Sequence, residues 1–266
     1  MSDEWRKAIA YKWAVLHERR QKLAGELAAL EQPADVPPDP DQLWNKALKL
    51  AELNGDDAAS PVFDQLLALD PRHAGACFHR GRQRLNQDDP GGVELVEVAI
   101  ASDPALTGDG CNVLYAYYTR TGQREKLRPL ENRVDKFREE AALAQRERAL
   151  LSANDTFVAH ELKEPVLAEL RKTFEAEPDV AAVAVARKQV RHFPKHPCFA
   201  VGLRVGASWW KPRSSEANRK LVHRLVGRLK LPGHFLVFVE EQNLKPLGKR
   251  IFAVPGTVVY ERADRR

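Results

Sequence analysis

The residues best suited to chemistry open the run His160-Glu161-Leu162-Lys163-Glu164. A zincin helix needs two imidazoles four residues apart on one face, with a glutamate after the first as general base. Here the second imidazole position holds Glu164, and Pro165 follows it. His192 and His196 are also four apart, but Pro194 and Pro197 forbid a regular helix through them. Cys198 stands near both histidines. A cysteine nucleophile needs a base held by a third group, and nothing in this stretch fixes that geometry. The chain carries no glycine-rich phosphate loop, paired-carboxylate motif or nucleophile elbow. The expectation is a protein that is not an enzyme, with no catalytic residue, metal or cofactor.

The cations form a second set. Arg187, Lys188, Arg191 and Lys195 follow one apolar stretch, and Trp209-Trp210-Lys211-Pro212-Arg213 forms a mixed aromatic and basic segment. Lys220, Arg224 and Arg228 recur every four residues, on the face of a helix opposite its apolar stripe. Cations interleaved with aromatic rings can stack on nucleic-acid bases or sit at a lipid headgroup layer. The charge is unevenly placed: residues 187–266 hold 18 Lys and Arg against 5 Asp and Glu, a net +13, which leaves −8 on residues 1–186 of the total +5. Such asymmetry points to two domains with different surroundings.

The elements that must position these residues are marked by three Asp-Pro pairs, Asp39-Pro40, Asp70-Pro71 and Asp103-Pro104, 31 and 33 residues apart. Proline cannot continue a helix, so a proline at fixed phase marks the boundary of each helical hairpin. A period in the low thirties with two amphipathic helices per unit predicts a tetratricopeptide-like α solenoid. In the first unit Asp41 is the expected N-cap, Ala47 and Ala59 fill small slots, and Phe63 fills an aromatic one. Gly81 takes the small slot of the second unit, whose turn is Asn86 to Gly92. The third unit is degenerate: Pro129 interrupts its second helix, and a charged helix over roughly 133–151 follows as a cap. In such an array the inner face of each first helix binds. The register places Trp44, Leu48, Phe78, Arg82, Asn86, Asn112 and Arg120 there, and arginine with asparagine could clamp a peptide carboxylate.

Ahead of the repeats, residues 4–31 read as one long helix with Ile9, Trp13, Leu16, Leu23, Leu27 and Leu30 on one stripe, broken at Arg20. That stripe suits packing on the first repeat or, alternatively, a coiled-coil seam. A Pro-rich connector spans 32–40, and the repeats run over 41–155. Beyond residue 155 the period changes. The order α-β-β-α-β-β, with a last strand over Ile251 to Tyr260, predicts a small basic α+β two-layer domain over 156–266. Its helices are expected on one face of a mainly antiparallel sheet. Three dispersed cysteines form neither a disulfide framework nor a zinc pattern, which suits a reducing cytoplasmic setting. No signal-peptide pattern or membrane-length apolar run appears.

Three stretches carry a family resemblance: ARKQVRHFPKHPCFAVGL, WWKPRSSEANRKLVHRLVGRLKLPG and VPGTVVYE. With the N-terminal helix and the repeats, they resemble the cytosolic C-terminal region of bacterial HtpX-like membrane zinc metallopeptidases. The family's transmembrane helices and His-Glu-x-x-His site have no counterpart here, so no catalytic residue is carried over. The resemblance implies a peptidase-associated recognition or regulatory module that reaches the membrane through a partner. The expected function is a protein–protein scaffold binding a peptide or protein, with no small-molecule substrate. The alternative is nucleic acid or an anionic membrane surface bound through the basic domain.

Overall fold

The computed structural model describes residues 3–30, 38–152, 154–206, 214–241 and 243–262. The chain divides into two compact units, Met1–Arg138 and Glu139–Arg266. The chain is mostly helical, with one small mixed sheet in the second unit.

The first unit holds helices α1 (Asp3–Ala28), α2 (Pro40–Asn54), α3 (Asp56–Leu69), α4 (Ala74–Asn86), α5 (Gly92–Ser102) and α6 (Thr107–Arg120). Helix α7 (Leu127–Ala149) begins in it and runs past the division between the units. The three Asp-Pro pairs share one local geometry. Asp39, Asp70 and Asp103 each accept, through a side-chain oxygen 3.1 Å away, the backbone N–H two residues on: Asp41, Arg72 and Ala105. These are Asx turns, in which the aspartate supplies the acceptor while proline presets φ for the entering turn. Two of the pairs also close the preceding helix, since the N–H groups of Asp70 and Asp103 reach Leu66 O and Ala99 O. The N-cap of α2 is therefore Asp39, with Pro40 at the first helical position, rather than Asp41.

Two apolar clusters hold the array. Leu43, Ala47, Ala59, Val62, Phe63, Leu66 and Ala76 join α2, α3 and α4. Leu85, Val96, Ile100, Cys111, Leu114, Tyr117, Tyr118 and Leu130 join α4 to α7. The small slots are real close approaches. A Cβ on Gly81 would meet Val96 Cγ2 at 2.8 Å, and one on Gly92 would meet Gly81 O at 2.5 Å. Pro129 does not break α7, because it lies in the first turn, where the backbone N–H has no intrahelical partner. The expected separate cap helix is part of this one continuous helix. Among the described side chains, helix α1 packs on α2 through its second half. Leu23 is buried, Arg19 pairs with Glu52, and Lys49 pairs with Glu26, whereas Trp13 and Leu16 are 69% and 55% exposed. Ile9 and most of the proline-rich connector fall outside the described side chains.

In the second unit β1 (Phe157–Ala159), β2 (Val180–Lys188), β3 (Cys198–Val205), β4 (His234–Val239) and β5 (Val258–Glu261) form one sheet. Antiparallel pairs join β2 to β1, β3 and β5, while β3 and β4 run parallel. β1 and β5 lie end to end along one edge of β2, and β4 is the opposite edge strand. Helices α8 (Glu164–Glu175) and α9 (Ser215–Val226) cover one face through Leu167, Leu170, Phe174, Leu221 and Leu225 against Val183, Val185, Phe199, Val201 and Leu203.

Two expectations are corrected here. Helix α10 (Lys245–Ala253) packs Leu247 and Ile251 on the other face, against Ala184, Ala186, Ala200 and Phe238, so the sheet is sandwiched rather than covered on one side. The last strand is only Val258–Glu261: Ile251 to Ala253 end α10, because Leu247 and Ile251 are buried together at helical spacing, and the chain then turns through Gly256 at φ +76°. Three of the four strand pairings are antiparallel, as expected, and β3–β4 is a parallel pair. It requires a crossover, and α9 provides it.

Candidate functional site

Helices α4 and α6 enclose a hollow of about 230 Å³, lined by Arg82, Leu85, Asn86, Asn112, Val113, Ala116, Tyr117 and Arg120. Four residues chosen by repeat register, Arg82, Asn86, Asn112 and Arg120, thus line one concavity. They meet because α4 and α6 are the first helices of successive hairpins, so equivalent positions face the same way.

The electrostatics differ from an open cationic clamp. Arg82 Nη2 lies 2.9 and 2.7 Å from the two carboxylate oxygens of Asp56. Arg120 Nε donates to Asp88 at 2.8 Å, and its Nη2 donates to Leu85 O. Asp88 holds a left-handed backbone, φ +60°. Both guanidinium charges are therefore neutralised from within the array. Asn86 and Asn112 are exposed, and their amides make no hydrogen bond within the described residues.

Trp44 and Phe78 do not line this hollow. Trp44 is half-buried, its ring centroid 4.9 Å from His73 and 6.0 Å from Phe63, and it fills the space left by Gly75. Phe78 lies edge-on to His79, with the Arg82 guanidinium 5.6 Å from its ring centre. Sequence reasoning missed His79. It stacks on Phe63 at 4.9 Å, faces Asp56 at 3.5 Å, and lies with Nδ1 3.2 Å from Arg82. Burial, reinforced by Arg82, holds its pKa below the ordinary value, against the pull of Asp56.

The expected basic surface is largely committed to internal pairs. Lys188 is a correction: it is 5% exposed, and its Nζ donates to Glu147 O at 2.6 Å and Leu150 O at 2.9 Å, with Asp155 at 3.0 Å. It ties down the C-terminal carbonyls of α7, as a buried cation must be partnered. Arg187 pairs with Glu161 and Lys220 with Glu216. Arg224 and Arg228 both hold the buried carboxylate of Glu177. Arg191 is exposed, and its backbone N–H donates to Glu147. Arg187, Lys188 and Arg191 border a broad hollow of about 810 Å³ that also includes Glu147, Asp155 and His192. Trp210, Lys211 and Arg213 lie outside the described residues.

The motif at His160 is not helical. α8 begins at Glu164, Glu161 has φ +54°, and His160 Nδ1 accepts the Leu162 N–H at 2.9 Å. Among the described residues no three His, Cys, Asp or Glu side chains group as metal ligands. Cys198 is fully buried, and burial pushes its thiol pKa up, as it does for Cys77 and Cys111. No helix among the described residues is long and apolar enough to cross a membrane.

No family model and no curated protein matches the chain. Among solved structures it is similar to one described as MamA MSR-1 C2, at 16% identity and TM-score 0.38, over 49% of this chain and 72% of that one. It is also similar to one described as MamA AMB-1 P212121, at 20% identity and TM-score 0.36, over 51% and 73%.

Proposed function

We propose that the protein is a non-enzymatic interaction module of tetratricopeptide-like construction, and that it takes an extended peptide segment of a protein partner in the hollow between α4 and α6. The observation that carries this reading is the pair of exposed, unengaged amides of Asn86 and Asn112 on successive hairpins, lining one hollow with Tyr117. Each carboxamide offers a donor and an acceptor, which suits a peptide backbone. The paired arginines frame the hollow without presenting free charge, so main-chain hydrogen bonding supplies more of the affinity than carboxylate capture does. The resemblance of the C-terminal block supports a partner within a membrane metallopeptidase system, met on the cytoplasmic side.

Binding of nucleic acid or an anionic membrane through the basic unit is less well supported. Arg187, Lys220, Arg224 and Arg228 each face a carboxylate, and Lys188 is buried.

The test is binding of the full chain to an immobilised library of extended peptides. The Asn86→Ala/Asn112→Ala variant should lose about tenfold in affinity per hydrogen-bonding side chain removed. Equal retention of peptides by the variant and the parent would remove the hollow from the reading.

A further inference from the structure

His79 stands behind one wall of the hollow between α4 and α6. It does not line the hollow, but Arg82, which does, touches it. Three side chains share the contact. Asp56 Oδ1 lies 2.9 Å from Arg82 Nη2 and 3.5 Å from His79 Nδ1, and Asp56 Oδ2 lies 2.7 Å from the same Nη2. His79 Nδ1 lies 3.2 Å from Arg82 Nη2. A guanidinium can only donate, so Nδ1 accepts and the proton of the neutral ring sits on Nε2. In this state one carboxylate neutralises one guanidinium, and the histidine gives that guanidinium a second acceptor.

The remaining surroundings of His79 are uncharged rings. Phe63 stacks on it at 4.9 Å, and Trp44 and Phe78 lie edge-on to it at 5.9 and 5.8 Å. The charged groups that face it are therefore Asp56 from α3 and Arg82 from α4, while Trp44 is the side chain that α2 sets against it. The histidine side chain is 18% exposed, so it exchanges protons with water.

We infer that this hollow is gated by acid: protonation of His79 leaves Arg82 with an uncompensated positive charge and turns a neutral groove into one that selects a peptide carboxylate. The inference rests on peptide binding in the hollow. Charge counting carries it. Protonated Nδ1 cannot accept from Arg82, and Asp56 Oδ1 is the acceptor closest to hand for its new N–H. A single carboxylate then faces two cations. Of these, Arg82 is the one that lines the hollow, and its side chain is 35% exposed. A carboxylate arriving there restores the balance through a charge-assisted hydrogen bond. By linkage, the bound carboxylate raises the proton affinity of His79 by the same factor. Arg120 lies further along the hollow, towards the C-terminal end of α4, held by Asp88 and the Leu85 carbonyl, and the change at His79 leaves those bonds untouched. The acid-dependent site is thus placed at Arg82.

Two readouts on the full chain separate the gate from the binding. In isotope-labelled protein the Arg82 Nε–H resonance should move between about pH 7.5 and about pH 5 with the midpoint of the His79 ring, and His79→Gln should abolish that movement. Peptides retained from the immobilised library are then made with a free C-terminal carboxylate and as the carboxamide. The two forms should bind alike at about pH 7.5. At about pH 5 a C-terminal carboxylate is still ionised, and that form should bind about tenfold better. His79→Gln and Arg82→Gln should each remove the gain; Arg82→Gln, at a partly exposed position, carries the test if the histidine variant folds poorly. An Arg82 resonance that does not follow His79, or a gain that is absent from the parent or survives in either variant, overturns the inference while peptide binding stands. Peptides retained at neither pH overturn the binding reading, and the gate with it.

Discussion

Arg224 grips Glu177 through two nitrogens, Nη2 at 2.7 Å from Oε2 and Nε at 3.1 Å from Oε1. Arg228 takes the other side of the same carboxylate at 2.6 Å, and Arg262 donates to the Glu177 backbone carbonyl at 2.8 Å. The carboxylate is 4% exposed, while the two partnering arginine side chains are nearly half exposed. The buried acid is thus satisfied by cations that keep one side in water, which lowers the cost of burying it. Glu177→Gln removes the charge from a site built for it and should lower stability by about 1–3 kcal/mol. Arg224→Ala should cost less, since Arg228 remains. Equilibrium urea unfolding reads both, and an unchanged midpoint for Glu177→Gln would refute this account of the cluster.

The crossing of α4 and α5 yields a second prediction. Gly81 and Gly92 face each other so closely that either Cβ would lie at or inside 3.0 Å of several neighbours. The two sites are not equivalent. The first obstacle to a Cβ at Gly81 is a valine methyl, which can move, but at Gly92 it is the carbonyl oxygen of Gly81. Gly92→Ala should therefore destabilise the first unit by about 1–3 kcal/mol, and Gly81→Ala by less, despite the better helix propensity of alanine. Thermal unfolding monitored by circular dichroism orders the two; the reverse ranking would contradict the packing described.

His79 predicts a pH dependence. Its folded pKa lies below the ordinary 6.5 because burial and Arg82 outweigh Asp56. The groups that face it are Asp56 from α3 and Arg82 from its own helix, with the uncharged rings of Trp44, Phe63 and Phe78 around them. The unfolded state then binds the proton more readily, so this contribution is complete above pH 6.5 and is lost as pH falls below it. The urea midpoint should drop as pH is taken from about 7.5 to about 5.5. His79→Gln should flatten part of that slope, and His160, also depressed by burial, should account for a further part. An identical slope in the His79→Gln variant would rule out its involvement.

What could be read from the sequence was what is written locally. The Asp-Pro recurrence marked α2 to α6 because one aspartate and one proline suffice to build each Asx turn. β2, β3 and α9 are legible through an apolar run, an alternating strand pattern and an apolar helical stripe with Lys220, Arg224 and Arg228 on the opposite face. The roles of the cations were hidden, because their partners are remote in sequence. Lys188 reaches Glu147 and Asp155, and Arg224 and Arg228 reach Glu177, so a spacing that looks like a solvated face instead serves a buried acid. Ile251 to Ala253 are equally suited to a strand, so their local pattern predicts one where α10 ends. Only Leu247 one turn earlier, packed on Ala184 and Phe238, identifies the helix. In the array, register found Arg82, Asn86, Asn112 and Arg120, but Asp56 and Asp88, which occupy the arginines, gave no periodic signal.

β5 has one further consequence. It pairs with β2, an interior strand whose other partners, β1 and β3, both precede it in the chain. Until Val258–Glu261 have been synthesised, part of one side of β2 stays unpaired. A nascent chain that lacks them exposes the backbone of an apolar interior strand, which invites pairing with a foreign strand.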